Sequence, residues 1–208
     1  MILEAKSYIL KRMTESLNFV FFGIVGSGKG TQARLLMDYL KEKTGTESLY
    51  VGTGDEFRKL LGSGSLTAEI VRKYLERGEL APDFLTTTMF ANVLQEGLAP
   101  EKHLVADGYP RTIGQSKDFE EMMKFYKRNQ IKIIDVEVSE AEAIKRNMLR
   151  GRHDDTKEGL ALRIDRYKNK VIPSMNYFAE KEGYEIYKIN GEQTVEEVHK
   201  EIISKLGI

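Results

Sequence analysis

An apolar run, Phe19-Val20-Phe21-Phe22, gives way to the string Gly23-Ile24-Val25-Gly26-Ser27-Gly28-Lys29-Gly30-Thr31 and then to an amphipathic stretch. The aromatic and β-branched run reads as a buried strand, and the residues from Lys29 onward read as a helix. Glycines at the spacing G-x-x-x-x-G-K let a turn present bare backbone N–H groups at a helix N-terminus, and the lysine adds a point charge. A strand, a glycine turn and a helix in that order form a cradle for the phosphates of a nucleotide. The string therefore commits the chain to an α/β unit with its site at a strand end.

The remaining pattern extends that unit. Strands are expected at 18–24, 48–51, 103–107, 131–138 and 184–189. Helices are expected at 29–42, after Asp55, and at 67–77, 83–96, 115–127, 140–150 and 195–206, with one long helix reaching about 181. Strands alternating with helices predict a parallel sheet covered on both faces. At 208 residues the chain suits one substantial core. Ile2, Leu3, Ile9, Leu10, Met13 and Leu17 recur at helical spacing, so residues 1–17 read as an amphipathic extension packed on the main domain 18–208.

Composition removes several classes of function. There is no cysteine, which excludes disulfides, thiolate catalysis and cysteine-held metal. Lysine plus arginine and aspartate plus glutamate both number 32, so no global basic field draws the protein to nucleic acid or anionic lipid. The longest apolar run, about 19–25, falls well short of the ~20 residues of a membrane span. The first residues carry no signal-peptide pattern, and a cytoplasmic protein is expected.

In parallel sheets, sites form where loops leave the carboxyl ends of strands. Lys29 follows the first strand, Thr53 to Arg58 follow the second, and Asp107-Gly108-Tyr109-Pro110-Arg111 follow the third. Arg146 and Arg150 lie four apart on one helix, Arg152 follows Gly151, and Arg163 stands on the next helix. Several arginines around a phosphate loop are what transfer of a phosphoryl group between two anions requires.

Four strings occur in order: Gly26-Ser27-Gly28-Lys29-Gly30-Thr31-Gln32, Thr53-Gly54-Asp55-Glu56-Phe57-Arg58, Asp107-Gly108-Tyr109-Pro110-Arg111-Thr112 and Gly151-Arg152-His153-Asp154-Asp155. Together they closely resemble the adenylate kinases and related nucleoside-monophosphate kinases, from about residue 18 to the end. The resemblance implies a P-loop NTPase-type fold with a five-stranded parallel sheet flanked by helices. It also implies a helical NMP-binding insertion at about 52–82 and a lid at about 150–156. The implied reaction is MgATP + AMP ⇌ 2 ADP, by a monomer with Mg²⁺ as its metal.

By the same resemblance, the loop Gly26 to Thr31 cradles the ATP phosphates. Lys29, Arg111, Arg150, Arg152 and Arg163 surround the transferring group, and Asp107 orders waters on Mg²⁺. Arg146 and Gly191 meet the ATP base. Arg58 and Arg111 hold the AMP phosphate, with Arg152 and Arg163 close by. Thr53, Glu79, Leu80, Ala81, Gly108, Tyr109, Pro110 and Gln115 form the AMP pocket. Thr53 favours AMP as acceptor. A UMP/CMP or broad-specificity kinase, and a nucleotide-binding regulator without turnover, are the alternatives.

Two departures stand out. Val25 occupies a place where the family usually has proline, and only Gly151 separates Arg150 from Arg152, which predicts a loop-like lid. Asp155-Thr156-Lys157-Glu158 has the spacing of a helix cap at Asp155 with an acidic partner.

Overall fold

A computed structural model of the chain describes residues 16–77, 79–151 and 156–208. The extension expected over 1–17 falls almost wholly outside them, as do Arg152 and the two aspartates that follow His153. Five strands form one parallel sheet: β1 (Asn18–Phe22), β2 (Ser48–Gly52), β3 (His103–Asp107), β4 (Ile131–Glu137) and β5 (Tyr184–Asn190), in the order β2-β3-β1-β4-β5. β1 is central and every one of its residues is buried, as a strand covered on both faces must be.

Helices α1 (Lys29–Thr44) and α9 (Val195–Leu206) cover one face through Phe19, Phe21, Leu36, Val105, Ile134 and Ile202. The other face packs Val20, Phe22, Leu104 and Ile133 against α4 (Asp83–Gly97), α5 (Ile113–Phe125) and α8 (Ile172–Asn176). Between β2 and α4 stand α2 (Thr53–Leu61) and α3 (Leu66–Glu76), the body of the expected insertion. α6 (Glu140–Arg150) and α7 (Lys157–Arg166) flank the expected lid.

Three sequence expectations are corrected. β1 stops at Phe22 rather than reaching residue 24, because Gly23 turns the chain away at φ 144°. The long helix ends at Asn176 rather than about 181, and it is not α-helical throughout: α7 runs on through a π turn, Tyr167–Val171, into α8. The π turn brings the Tyr167 hydroxyl to the Asp135 carboxylate on β4 at 3.2 Å, and Pro173, which has no N–H to give, follows two residues after it. The cap of α7 is Thr156, whose hydroxyl accepts from Gly159 N–H at 3.0 Å, and not Asp155.

β1 sits where the sheet order reverses, with β3 on one side and β4 on the other. A crevice must open there, above the carboxyl ends of the strands.

Candidate active site

A crevice of about 510 Å³ occupies that position. Its floor is the loop after β1. Gly26 and Gly28 adopt φ of 86° and 88°, a region open mainly to glycine, and Gly28 caps α1. A Cβ on Gly28 would meet nothing, so this glycine serves backbone conformation. At Gly26 space is also lacking, since a Cβ would stand 2.9 Å from Ala143 O and press into the Asn147 amide. The first turn of α1 carries no acidic residue, which leaves its positive end for an anion. Gly26, Gly28, Lys29, Gly30 and Thr31 all line the crevice, whereas the Ser27 side chain is buried beneath the loop.

Register sets Asp107 beside both Phe21 of β1 and Gly52 of β2, between the two loops. Its Oδ2 accepts from the Tyr50 hydroxyl at 3.1 Å, while its buried Oδ1 has no partner. Gly52 makes this possible, because a Cβ there would lie 2.7 Å from the Tyr50 hydroxyl oxygen. Burial, and next the Asp107 carboxylate, push the Tyr50 phenol up, so it stays a donor. The cation of Arg34 lies 5.9 Å from the Tyr50 ring centre and 3.8 Å from Asp55.

Arg111 is fastened before any ligand binds. Its Nε donates to Gly108 O at 2.6 Å, and its backbone N–H donates to Gln115 Oε1 at 2.8 Å. Burial pushes the guanidinium pKa down and Asp107 pulls it back up. The Thr53 hydroxyl donates to the same Gly108 O at 2.8 Å. Gly108, at φ 81°, has no room for a side chain between Arg111 and Thr53.

Arg58, Glu79, Leu80, Gly108, Pro110, Arg111, Arg150 and Arg163 line the crevice. Arg58 pairs with Asp55 on α2. Arg146 and Gly191 also come together, off to one side: Arg146 donates to Gly191 O at 2.9 Å and to Glu142 at 2.8 Å. A Cβ on Gly191 would stand 2.7 Å from Val138, so close packing explains this glycine.

Other expected residues are placed differently. Tyr109 is a core residue, its ring stacked on Phe90 at 4.3 Å and its hydroxyl 3.1 Å from Thr87. Ala81 is buried away from the crevice. Gln115 is buried with its amide committed, since Nε2 donates to Asp83 Oδ1 at 3.0 Å. Thr53 is buried and spends its proton on Gly108. Arg152 lies outside the described residues.

Tyr50, Arg34 and Arg166 also line the crevice, and the Asn147 amide packs against Gly26 of its loop. Arg166 donates across to Arg77 O near the end of α3 at 3.4 Å. Its spacing of three from Arg163 was the available signal. Among the described residues no group of three or more His, Cys, Asp or Glu could cage a metal, and no helix is long and apolar enough to cross a membrane.

A family model described as adenylate kinase matches residues 21–183. An adenylate kinase of Parabacteroides distasonis is 36% identical over 186 residues, which cover 88% of this chain and 93% of that protein. One from Corynebacterium aurimucosum is 32% identical over 191 residues, or 92% of this chain and 99% of the relative. An "Adenylate kinase 1" of a Nostoc species is 28% identical over 188 residues, covering 90% and 97% respectively.

Proposed function

Because the chain belongs to the adenylate kinase family, we propose that its crevice performs reversible phosphoryl transfer from MgATP to AMP, giving two ADP. The observation that carries this reading is the convergence of Lys29, Arg58, Arg111, Arg150 and Arg163 on one crevice at the sheet's switch point. Two anionic substrates must meet there, and cations from separate elements offset their repulsion.

The loop amides and Lys29 take the ATP phosphates, and Arg146 with Gly191 flanks the ATP base. Arg58 takes the AMP phosphate from α2, on the wall shared with Glu79 and Leu80. Arg111, fixed by Gly108 and Gln115, faces both phosphates, and Arg150 and Arg163 close on the transferring group from α6 and α7. An AMP phosphate oxygen is already an anionic nucleophile, so no general base is needed. Catalysis then consists of alignment and charge stabilisation. Gln115 and Thr53 act through the frame they build around Arg111 and Gly108, which sets the shape of the AMP pocket.

Mg²⁺ fits the donors present. Asp107 lines the crevice, its Oδ1 has no hydrogen-bond partner, and its Oδ2 lies 3.1 Å from where a Cβ on Gly30 would stand. A carboxylate with no cage of further acidic or histidine ligands among the described residues matches an ion that keeps its waters and its phosphate ligands. When bound, Mg²⁺ would neutralise charge on the ATP phosphates. On this reading the protein acts as a monomer in the cytoplasm, where its nucleotide substrates occur.

A coupled assay with MgATP and AMP, CMP, UMP or GMP tests the acceptor. AMP should give the highest kcat/KM, and Gln115→Ala should narrow its lead, since the Arg111 backbone N–H and the Asp83 carboxylate both lose a partner. Faster turnover of UMP or CMP than of AMP by the wild-type protein would replace this reading with a pyrimidine-nucleotide kinase.

A further inference from the structure

The middle of the phosphate loop is tied to a distant helix by one side chain. Asn147, on α6, is fully buried. Its Nδ2 donates to Val25 O at 3.0 Å and to Ala143 O, one turn back, at 2.6 Å. Its Oδ1 accepts from the guanidinium of Arg150. Gly26 packs directly against the same amide, in space that no side chain on residue 26 could share. Both donor positions of the amide and its acceptor are thus engaged.

Asparagine is a poor residue for a helix interior, because its side chain competes for backbone partners. An apolar residue would fill this buried site and favour α6 more. The amide is explained by what it joins: the turn that presents the phosphate-binding N–H groups, and an arginine lining the same crevice. We infer that Asn147 is a positioning residue for phosphoryl transfer, pinning the Val25–Gly26 turn with its donors and aiming Arg150 with its acceptor. It links the loop to the arm carrying Arg150, so the two approach the ATP phosphates in one fixed geometry. A shift of about an ångström between such groups can cost on the order of 100-fold in rate.

The inference rests on the ATP:AMP reading above, and its test separates the two. Asn147→Ser keeps a hydroxyl able to bond Ala143 O but is too short to reach Val25 or Arg150. Asn147→Asp keeps the acceptor for Arg150 while setting a carboxylate against the Val25 carbonyl. Kinetics with each substrate varied separately, thermal unfolding, and calorimetric titration with ATP are measured on both variants and on wild type. For the serine variant, the ATP KM and calorimetric Kd should rise about tenfold, kcat should fall about 10- to 100-fold, and the AMP KM should stay within about twofold. The aspartate variant should show the weakened ATP binding with a smaller loss of kcat. Folded variants with wild-type constants, or with the KM of both nucleotides raised equally, would make Asn147 a packing residue and overturn the inference. If the serine variant does not fold, the aspartate variant is judged by the same split. Wild-type protein that formed no ADP would defeat the functional reading instead, while the ATP titration would still report on the loop contact.

Discussion

Arg111 and Lys29 are cations held on the crevice in two different ways. Arg111 is fastened by its own Nε to Gly108, by its backbone to Gln115, and more loosely to Thr53 at 3.5 Å. Such a guanidinium needs little rearrangement when phosphate charge shifts in the transition state. Lys29, the first residue of α1, lies at the positive end of that helix and lines the crevice. Lys29→Ala and Arg111→Ala should each lower kcat about 10²- to 10³-fold, the usual cost of one lost transition-state donor. Turnover measured beside thermal unfolding checks this, with Lys29→Ala expected to unfold near the wild-type temperature. That both residues line the crevice was legible because each follows a strand end within a recognisable string. Gln115, Thr53 and Tyr109 were recognised by position, but their side-chain partners were not. A residue type does not say whether its amide or hydroxyl is already committed to Asp83 or Gly108. Asn147 was missed because its three partners come from Val25, Ala143 and Arg150, and only folding brings the first of these near.

Elements carry their own constraints, clearest at the end of the sheet opposite the crevice. His103, the first residue of β3, accepts at Nδ1 from Leu17 N–H at 2.9 Å. Thr44, the last residue of α1, gives its hydroxyl proton to Leu40 O, so it accepts from His103 Nε2, 3.1 Å away. These bonds require neutral imidazole with its proton on Nε2. Burial, then the charge of Arg128, hold the His103 pKa below its ordinary 6.5. The folded state thus binds fewer protons than the unfolded one between the depressed value and 6.5. The His103 contribution is complete above pH 6.5 and is lost as pH falls through the folded-state pKa. Melting temperature should therefore drop more steeply for wild type than for His103→Gln as pH is lowered from 7 to about 5. Parallel curves would remove His103 from the acid response. The elements themselves were largely readable, since buried runs such as β1 and caps such as Gly45, at φ 70° after α1, are local signals. The π turn was not readable, because Tyr167 reaches for Asp135 on a strand 32 residues earlier. Pro173 was the local hint that the long helix would not be α-helical throughout.

At the scale of the molecule, the sheet order puts three loops around one opening, and two sets of helices bring cations to it from opposite sides. α2 supplies Arg58, while α6 and α7 supply Arg150, Arg163 and Arg166. The contact from Arg166 to Arg77 O already spans the crevice. This arrangement was legible in outline from strand–helix alternation and the strings at the strand ends. The crossing contacts were not, because they depend on how the helices pack. With so few residues between α6 and α7, transfer to AMP rather than to water calls for the arginines and the second nucleotide, and not a folded lid domain, to shield the phosphoryl group. Phosphorus NMR of a mixture of MgATP and AMP with a trace of the protein tests that requirement most directly. Two ADP should form for each ATP consumed, approaching equilibrium without accumulation of inorganic phosphate. Release of inorganic phosphate with AMP left unchanged would show that the crevice delivers its phosphoryl group to water, and would contradict the account.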